Sequence, residues 1–407
     1  MKKLMLMTPM LHQGGFERVC VATARLMQEY YDVTILIFSD KDINYDITGL
    51  NVINIDVPSK KGKISKAINL VKRIIKTRKI KKELGIDISY SFGSSANYVN
   101  VLSRRQEKVL TGLRCSTDME APDQVRLFCN KADQVLSCSK EIMRQLKRDY
   151  NYERSSYIYN PLDVDTINKQ ADEPTSDMPF GLDQNRLKTG APQTDDLKLI
   201  VSVGRQDYIK GMWHLIKAFS IVEKENKNAR LMIIGTGDWS GYEKLAKDLG
   251  VSDKVAFMGL KKNTFPYVAA SDLYVLASNH EGFPNALLEA MALGKPCIAA
   301  DCKTGPREIL LSEEGYNDLI TRIPDGSSTE SVIEGDYGII VPDMSEQVDL
   351  DASNIIEGEK ILAGEILKML ADNEKLSEYG NRALERAKGY KPVRYREELA
   401  KILRNFH

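Results

Sequence analysis

Short apolar runs separated by amphipathic stretches organise this chain. In the front half the runs are Lys3–Thr8, Val33–Phe38, Val52–Ile55, Ile86–Ser91, Lys108–Leu113 and Gln134–Ser137. Helical patterns such as Glu17–Tyr30 and Ile64–Leu84 lie between them. That alternation predicts βαβ units on a parallel sheet. It lapses over 166–196, where Pro174, Pro179, Gly181, Gly190 and Pro192 mark a linker or an irregular segment. It resumes with Leu197–Val203, Arg230–Ile234, Val255–Met258, Leu273–Leu276, Pro296–Ala299 and Gly338–Val341. A second lapse, Ser312–Gly335, reads as a polar insertion, and the chain closes in helical patterns. The expected fold is α/β: two Rossmann-like, doubly wound domains facing across a cleft, over residues 1–165 and 197–388. In such sheets ligands sit beyond the carboxyl ends of the strands.

Composition narrows the function classes. The chain has 407 residues, 43% hydrophobic and 28% charged, with zero net charge, which fits a globular and not a disordered protein. The zero is a balance of halves: residues 1–170 carry 28 Lys+Arg against 19 Asp+Glu, leaving 29 against 38 for the rest. A basic front and an acidic back imply different partners. No apolar run approaches the ~18 residues that span a bilayer. Met1–Lys3 followed by Leu4–Leu11 reads as a first buried strand, because the run is too short for a signal peptide and lacks a cleavage site. The six cysteines form no C-x-x-C pair and are expected as buried thiols in a reducing cytoplasm.

Chemistry concentrates just after strands. The segment His280-Glu281-Gly282-Phe283-Pro284-Asn285-Ala286-Leu287-Leu288-Glu289 follows Leu273–Leu276. Pro284 suits the first turn of a helix. The loop and first turn offer backbone N–H groups to an anion or to sugar hydroxyls. Glu281 and Glu289 can grip vicinal hydroxyls, one pair on a donor sugar and one on a ribose. A cap and a solvated glutamate is the plainer reading of such a spacing, but the strand before and Gly-Phe-Pro between favour a site. Gly204-Arg205 and Lys210-Gly211 follow Leu197–Val203; two cations in one loop can neutralise a departing diphosphate without a metal. Gly14-Gly15-Phe16-Glu17-Arg18, after the first strand, permits close backbone approach but is a weak motif by itself.

Several alternatives fit poorly. Gly235-Thr236-Gly237 with Gly241 lacks the dinucleotide spacing, and no acidic residue follows the next strand. Asp163-Val164-Asp165 is explained as well by a helix start as by a metal. The four histidines are scattered, so no metal site and no cofactor are expected. Ile64–Leu84 carries Ile64, Ile68, Val71, Ile74 and Ile75 at helical spacing among many lysines and arginines. It suits an anionic membrane or a pyrophosphate-bearing lipid, or a sheet-covering helix with a solvated face. Nucleic acid fits less well, since interleaved aromatics are absent.

Taken together, Glu281-x7-Glu289, Gly204-Arg205 with Lys210-Gly211, and Gly14-Gly15-x-Glu17-Arg18 resemble retaining glycosyltransferase family 4. Val135–Ser139, Tyr159-Asn160-Pro161, Gly305-Pro306-Arg307-Glu308 and Gly338–Pro342 resemble later landmarks of that family. The resemblance implies the two-domain GT-B fold and transfer with retention from a nucleotide diphosphate sugar, UDP being the common nucleotide. It implies that Arg205 and Lys210 hold the diphosphate and that Glu289 holds the ribose. Glu281 would face the sugar, with Gly282, Phe283, Pro284, Asn285 and Ala286 around it. Gly259 and Leu260 would border the base, and Gly15 would approach from the front domain. Where many members have a catalytic His, this chain has Arg114, which can act only by charge. The implied acceptor is a polyprenyl-diphosphate-linked or glycan chain of surface polysaccharide synthesis, met in the cytoplasm or peripherally on the membrane face. Residues 389–407 would form a helix returning to the front domain. A same-fold enzyme with a soluble product and a non-catalytic nucleotide-sugar binder are the alternatives.

Overall fold

The computed structural model describes residues 1–12, 14–187 and 196–405, so Gly190 and Pro192 of the expected linker fall outside it. The chain divides into two units. One comprises Met1–Pro161 with Tyr390–His407, the other Leu162–Gly389.

The first unit runs β1 (Lys2–Thr8), α1 (Gly15–Met27), β2 (Tyr31–Ile37), β3 (Asn51–Asn54), α2 (Lys63–Leu84), β4 (Ile88–Phe92), α3 (Ser94–Leu102), β5 (Lys108–Leu113), α4 (Pro122–Lys131), β6 (Gln134–Ser137), α5 (Lys140–Tyr150) and β7 (Ser155–Tyr157). Its sheet order is β3-β2-β1-β4-β5-β6-β7, every pair parallel. The central strands β1 and β4 are almost wholly buried, which is why they read as continuous apolar runs without alternation. β7, a half-buried edge strand, has no such run and was not expected from the sequence.

The second unit runs α6 (Val164–Ala171), β8 (Lys198–Val203), α7 (Met212–Glu225), β9 (Ala229–Ile234), α8 (Ser240–Asp248), β10 (Val255–Phe257), α9 (Phe265–Ala269), β11 (Leu273–Leu276), α10 (Asn285–Ala292), β12 (Cys297–Ala300), α11 (Pro306–Leu310), α12 (Glu313–Arg322), β13 (Ile333–Glu334), β14 (Ile339–Val341), α13 (Glu357–Leu370) and α14 (Asn373–Ala387). Its sheet order is β10-β9-β8-β11-β12-β14-β13, parallel except for β13 against β14. The final helix, α15 (Pro392–Arg404), lies in the first unit and buries Tyr395, Leu399 and Leu403 in the core around α1. Both sheets change direction at their centre, between β1 and β4 and between β8 and β11. Loops leaving those strands diverge there and leave a crevice.

Three expectations need correction. Residues 166–187 are not a free linker: the Arg186 guanidinium donates to buried Asp272 at 2.8 Å, and Thr175 pairs with the Tyr267 hydroxyl at 2.6 Å. A polar stretch folds here because its charges find buried partners, a signal that periodicity does not carry. Ser312–Gly335 is not irregular either. Ser312 caps α12 by accepting from the Gly315 N–H at 3.2 Å, and β13 adds an antiparallel edge. Pro284 is the N-cap of α10, one residue before the helix, and not part of its first turn.

Helix α2 covers the sheet and keeps its isoleucine stripe outward. Ile64, Ile68, Val71 and Ile75 are 79%, 50%, 55% and 63% exposed. Asn69, Thr77 and Lys81 are buried instead, and Ile74 is half-buried. On the inward face Leu70, Ile80 and Leu84 pack against the core around Met5, Leu36 and Phe38, and hydrogen bonds hold its polar groups. Lys81 Nζ donates to Glu107 Oε1 at 2.7 Å and to Asn100 Oδ1 at 2.8 Å, and Ser89 Oγ donates to the same Asn100 oxygen at 2.7 Å. Burial pulls the Lys81 ammonium down to about 8, against the pull of Glu107. Lys81→Met would strand the buried Glu107 carboxylate and is expected to destabilise the first unit by about 3–5 kcal/mol. The double variant Lys81→Met with Glu107→Gln should recover much of that loss in a chemical denaturation curve.

Candidate active site in the second unit

Two loops meet at the centre of the second sheet, one leaving β8 (204–211) and one leaving β11 (277–284). Their contact is backbone to backbone. Gly211 has φ +55°, and a β-carbon there would lie 2.0 Å from the Ala277 carbonyl oxygen, so only glycine fits. Asn279 N–H donates to the Ile209 carbonyl at 2.8 Å, and Asn279 Nδ2 donates to the Tyr208 carbonyl at 2.9 Å. Asp207 caps the short turn Tyr208–Lys210 by accepting from Ile209 N–H at 3.2 Å.

Across this seam Lys210 Nζ pairs with Glu281 Oε1 at 2.6 Å. The pair is largely shielded, with side chains 23% and 10% exposed. Ser278 Oγ donates to the same Glu281 oxygen at 2.8 Å, and Thr304 Oγ1 donates to the Glu281 backbone carbonyl. The Lys210 stem runs over Gly204, whose missing side chain leaves it room. Arg205 is more than half exposed and donates from Nε to Asp207 Oδ2 at 3.0 Å. The structure therefore brings three of the expected polar residues onto two adjoining loops.

Glu289 lies on α10 and is buried. It shares a neighbour with Glu281: the buried Tyr274 of β11, whose phenol is held well above its usual range by burial first, then by Glu281, Cys297 and Glu289. Between the two glutamates, Gly282, Phe283 and Pro284 lead into Asn285 and Ala286 at the start of α10. The turn is backed by Gly305 at φ +97°, where a β-carbon would stand 2.5 Å from Pro284 Cδ.

A third loop joins from β9 and β10. Gly235 lies so close that a β-carbon would meet the Gly204 carbonyl oxygen at 2.0 Å. Its N–H donates to Gly259 at 2.9 Å, and Gln206 N–H donates to Thr236 at 2.7 Å. Gly259 takes φ +61°, and Leu260 is 53% exposed beside it. The Gly235-Thr236-Gly237 turn thus packs the three loops together.

Sequence reasoning missed Tyr274, Ser278, Asn279 and Thr304, because nothing local marks a residue that orients another. It also missed His280 Nε2 against Glu346 Oε2 at 3.2 Å, a contact with a loop far along the chain. Near that loop, burial pushes the Asp343 carboxyl up to about 7, with Asp301 and Glu346 adding to the rise.

Gly15 and Arg114 belong to the first unit. Gly15 opens α1, where Tyr45 Oη donates to the Gly14 carbonyl at 2.8 Å and the Glu17 carboxylate folds over Gly14. Arg114 follows β5 and is buried, with its guanidinium 4.9 Å over the Phe92 ring and its charge facing Tyr90, Cys138 and Tyr395. Asp163 caps α6 by accepting from Thr166 N–H at 3.0 Å, as a helix start requires. Among the described residues, no group of three or more His, Cys, Asp or Glu is placed to hold a metal ion.

Residues 183–325 match the family model for glycosyl transferases group 1. That stretch of the second unit is therefore similar to the group 1 glycosyl transferases. The chain resembles, at 36% identity over 199 residues, an uncharacterized glycosyltransferase of Methanocaldococcus jannaschii, covering 48% of this chain and 47% of that protein. It thus spans about half of that relative. It is 26% identical, over 99% of its own length and 100% of the other's, to a Campylobacter jejuni 4-alpha-N-acetylgalactosaminyltransferase named for a diphospho-undecaprenol-linked acceptor. Among solved structures it resembles Anabaena HepE in complex with UDP, with TM-score 0.70 and 17% identity over 100% of both chains. It also resembles WaaG, a glycosyltransferase involved in lipopolysaccharide biosynthesis, with TM-score 0.66 and 16% identity over 98% of this chain and 99% of that one. These likenesses establish the GT-B fold.

The seam between the β8 and β11 loops gives a direct test. Gly211→Ala is expected to lower the stability of the second unit by about 1–3 kcal/mol through positive-φ strain and the carbonyl clash. Both tryptophans, Trp213 and Trp239, lie in that unit, so fluorescence-monitored unfolding reports it alone.

Proposed function

We propose that this chain is a retaining, metal-independent family 4 transferase. It moves a hexosyl or N-acetylhexosaminyl group from a UDP-sugar to a lipid-linked or glycan acceptor in surface polysaccharide synthesis. The observation that carries the reading is the Lys210–Glu281 pair at the carboxyl ends of β8 and β11, with Arg205 on the same loop and Glu289 on the next helix. Two cations and two carboxylates so placed match the charge and hydroxyl pattern of a nucleotide diphosphate sugar.

The chemistry follows from that placement. The donor diphosphate takes Lys210 and Arg205 as counter-ions, and the sugar hydroxyls take Glu281. The ribose hydroxyls take Glu289, and the base lies by Gly259 and Leu260. As the bond from the anomeric carbon to the diphosphate breaks, negative charge grows on the leaving oxygen, and the cations stabilise it most at that moment. The acceptor hydroxyl bonds to the same face of the anomeric carbon, and its proton passes to the departing phosphate oxygen. Retention results without a protein base. Arg114, enclosed as it is, contributes positive potential at the end of the first sheet and not proton transfer.

The Campylobacter relative's name supports a lipid-linked acceptor, and HepE has been solved with UDP and with UDP-glucose. The exposed isoleucine stripe of α2, flanked by lysines, supports an anionic membrane surface as the place where that acceptor is met. No described helix is long and apolar enough to cross a membrane.

A screen of UDP- and GDP-sugars for binding and slow hydrolysis identifies the donor. Arg205→Ala and Glu289→Ala should each lower kcat/KM at least a hundredfold with the fold intact by circular dichroism. Full activity in either variant overturns the site. Transfer to a water-soluble acceptor with indifference to lipid would favour a soluble product, and tight UDP binding without turnover would favour a binder. In flotation at low salt, vesicles rich in anionic lipid should carry the protein, and Ile68→Asp with Val71→Asp should release it. No binding by the unaltered protein removes the membrane claim.

A further inference from the structure

Residues 172–187, which follow α6, are fastened to the rest of the second unit at two places of different character. The far end is buried: the Arg186 side chain is 7% exposed and pairs with Asp272. The near end is open, and it reaches the loop that leaves β10 (258–264) and the helix α9 after it. There the Asp177 carboxylate accepts from the Lys261 ammonium on Oδ2 and from the Tyr267 hydroxyl on Oδ1. Asn263 Nδ2 donates to the Gln170 carbonyl at 2.7 Å and to Glu173 Oε2 at 2.8 Å, and Asn263 Oδ1 accepts from Phe265 N–H at 3.0 Å. Lys261 first and Tyr267 second hold the Asp177 carboxyl down to about 2, so it is charged throughout the neutral range.

The near-end pair is too exposed to serve stability. The Asp177 side chain is 51% exposed, and ion pairs of that kind contribute little. Its effect is geometric. The Gly259 carbonyl accepts from Gly235 N–H at 2.9 Å and fixes the loop on its β9 side. Lys261 and Asn263 fix it on the other side. Leu260 stands between these anchors, 53% exposed, and among the described residues no hydrogen bond takes up its backbone N–H or carbonyl. An exposed leucine beside an open donor and acceptor suits a flat heterocycle, with apolar contact to its face and hydrogen bonds to its edge. The Lys261 ammonium is drawn back over the Tyr267 ring, 5.6 Å from its centre, and is committed to Asp177. We propose that residues 173–177 position the nucleobase subsite of the donor and so set which base it prefers. The inference deepens the reading above and rests on it for placing the base by Gly259 and Leu260. Asp177 is a positioning residue: it acts through Lys261 and not on the base.

The test titrates the full chain calorimetrically with UDP, CDP, GDP and ADP, and with inorganic pyrophosphate as a probe that has no base. Asp177→Ala should fold normally, since the side chain is half exposed. It is expected to weaken the preferred nucleoside diphosphate about tenfold, because the loop must then be ordered on binding. It should narrow the spread among the four bases and leave pyrophosphate affinity unchanged. Lys261→Met should do the same, and the double variant should do no more than either, since both remove one contact. In turnover, the KM for the sugar nucleotide should rise while kcat is kept. Equal weakening of pyrophosphate and nucleotides, or unchanged nucleotide affinity, makes the contact a structural tie and overturns the proposal. Additive effects in the double variant overturn the route through Lys261. Pyrophosphate binding with no gain from any base removes the base subsite and the inference with it, while leaving the diphosphate site standing. Failure of the unaltered protein to bind any of these ligands removes the donor reading itself.

Discussion

The second-unit site depends on one close approach, the Gly211 backbone against the Ala277 carbonyl. It holds the loop after β8 to the loop after β11, and with them Lys210 to Glu281. Without that contact a lysine and a glutamate on separate loops would be two solvated charges of little mutual worth. With it they are held against each other in one geometry. Gly235 against Gly204, and Gly305 against Pro284, repeat the device on either side. Glycines here let backbones touch; they are not there for looseness.

The ion pair also explains how two cations sit together on one loop. Lys210 and Arg205 would repel one another if left alone. Lys210 and Arg205 instead rest on Glu281 and Asp207. Each cation is thus paired with a carboxylate, so the shielded Lys210 is not left as an isolated charge.

Much of this was legible in the chain. β5, β6 and β11 have the limits that their apolar runs gave, because parallel central strands are buried on both faces and show no alternation. Residues 204–211 and 280–289 were marked by glycine, proline and charge directly after strands. What could not be read was anything set by distant pairing. Arg186 reaching Asp272, Thr304 holding the Glu281 carbonyl and Glu346 meeting His280 join positions that no local pattern connects. The chain alone leaves α2 open between a lipid-facing stripe and a sheet-covering helix. Its isoleucine stripe lies outward, while Leu70, Ile80 and Leu84 pack inward beside the Lys81–Glu107–Asn100 network. Periodicity reports that a helix has two faces and not which one the protein keeps.

The first unit is closed by residues from both ends of the chain, since α15 completes the core around α1. On the ribosome, α15 emerges only after every strand of the second unit has been made. The first sheet must therefore wait, with its α1 face open, while its neighbour folds. The gap is filled once α15 is made, so a chain interrupted before that helix would leave one finished unit tethered to one unfinished unit.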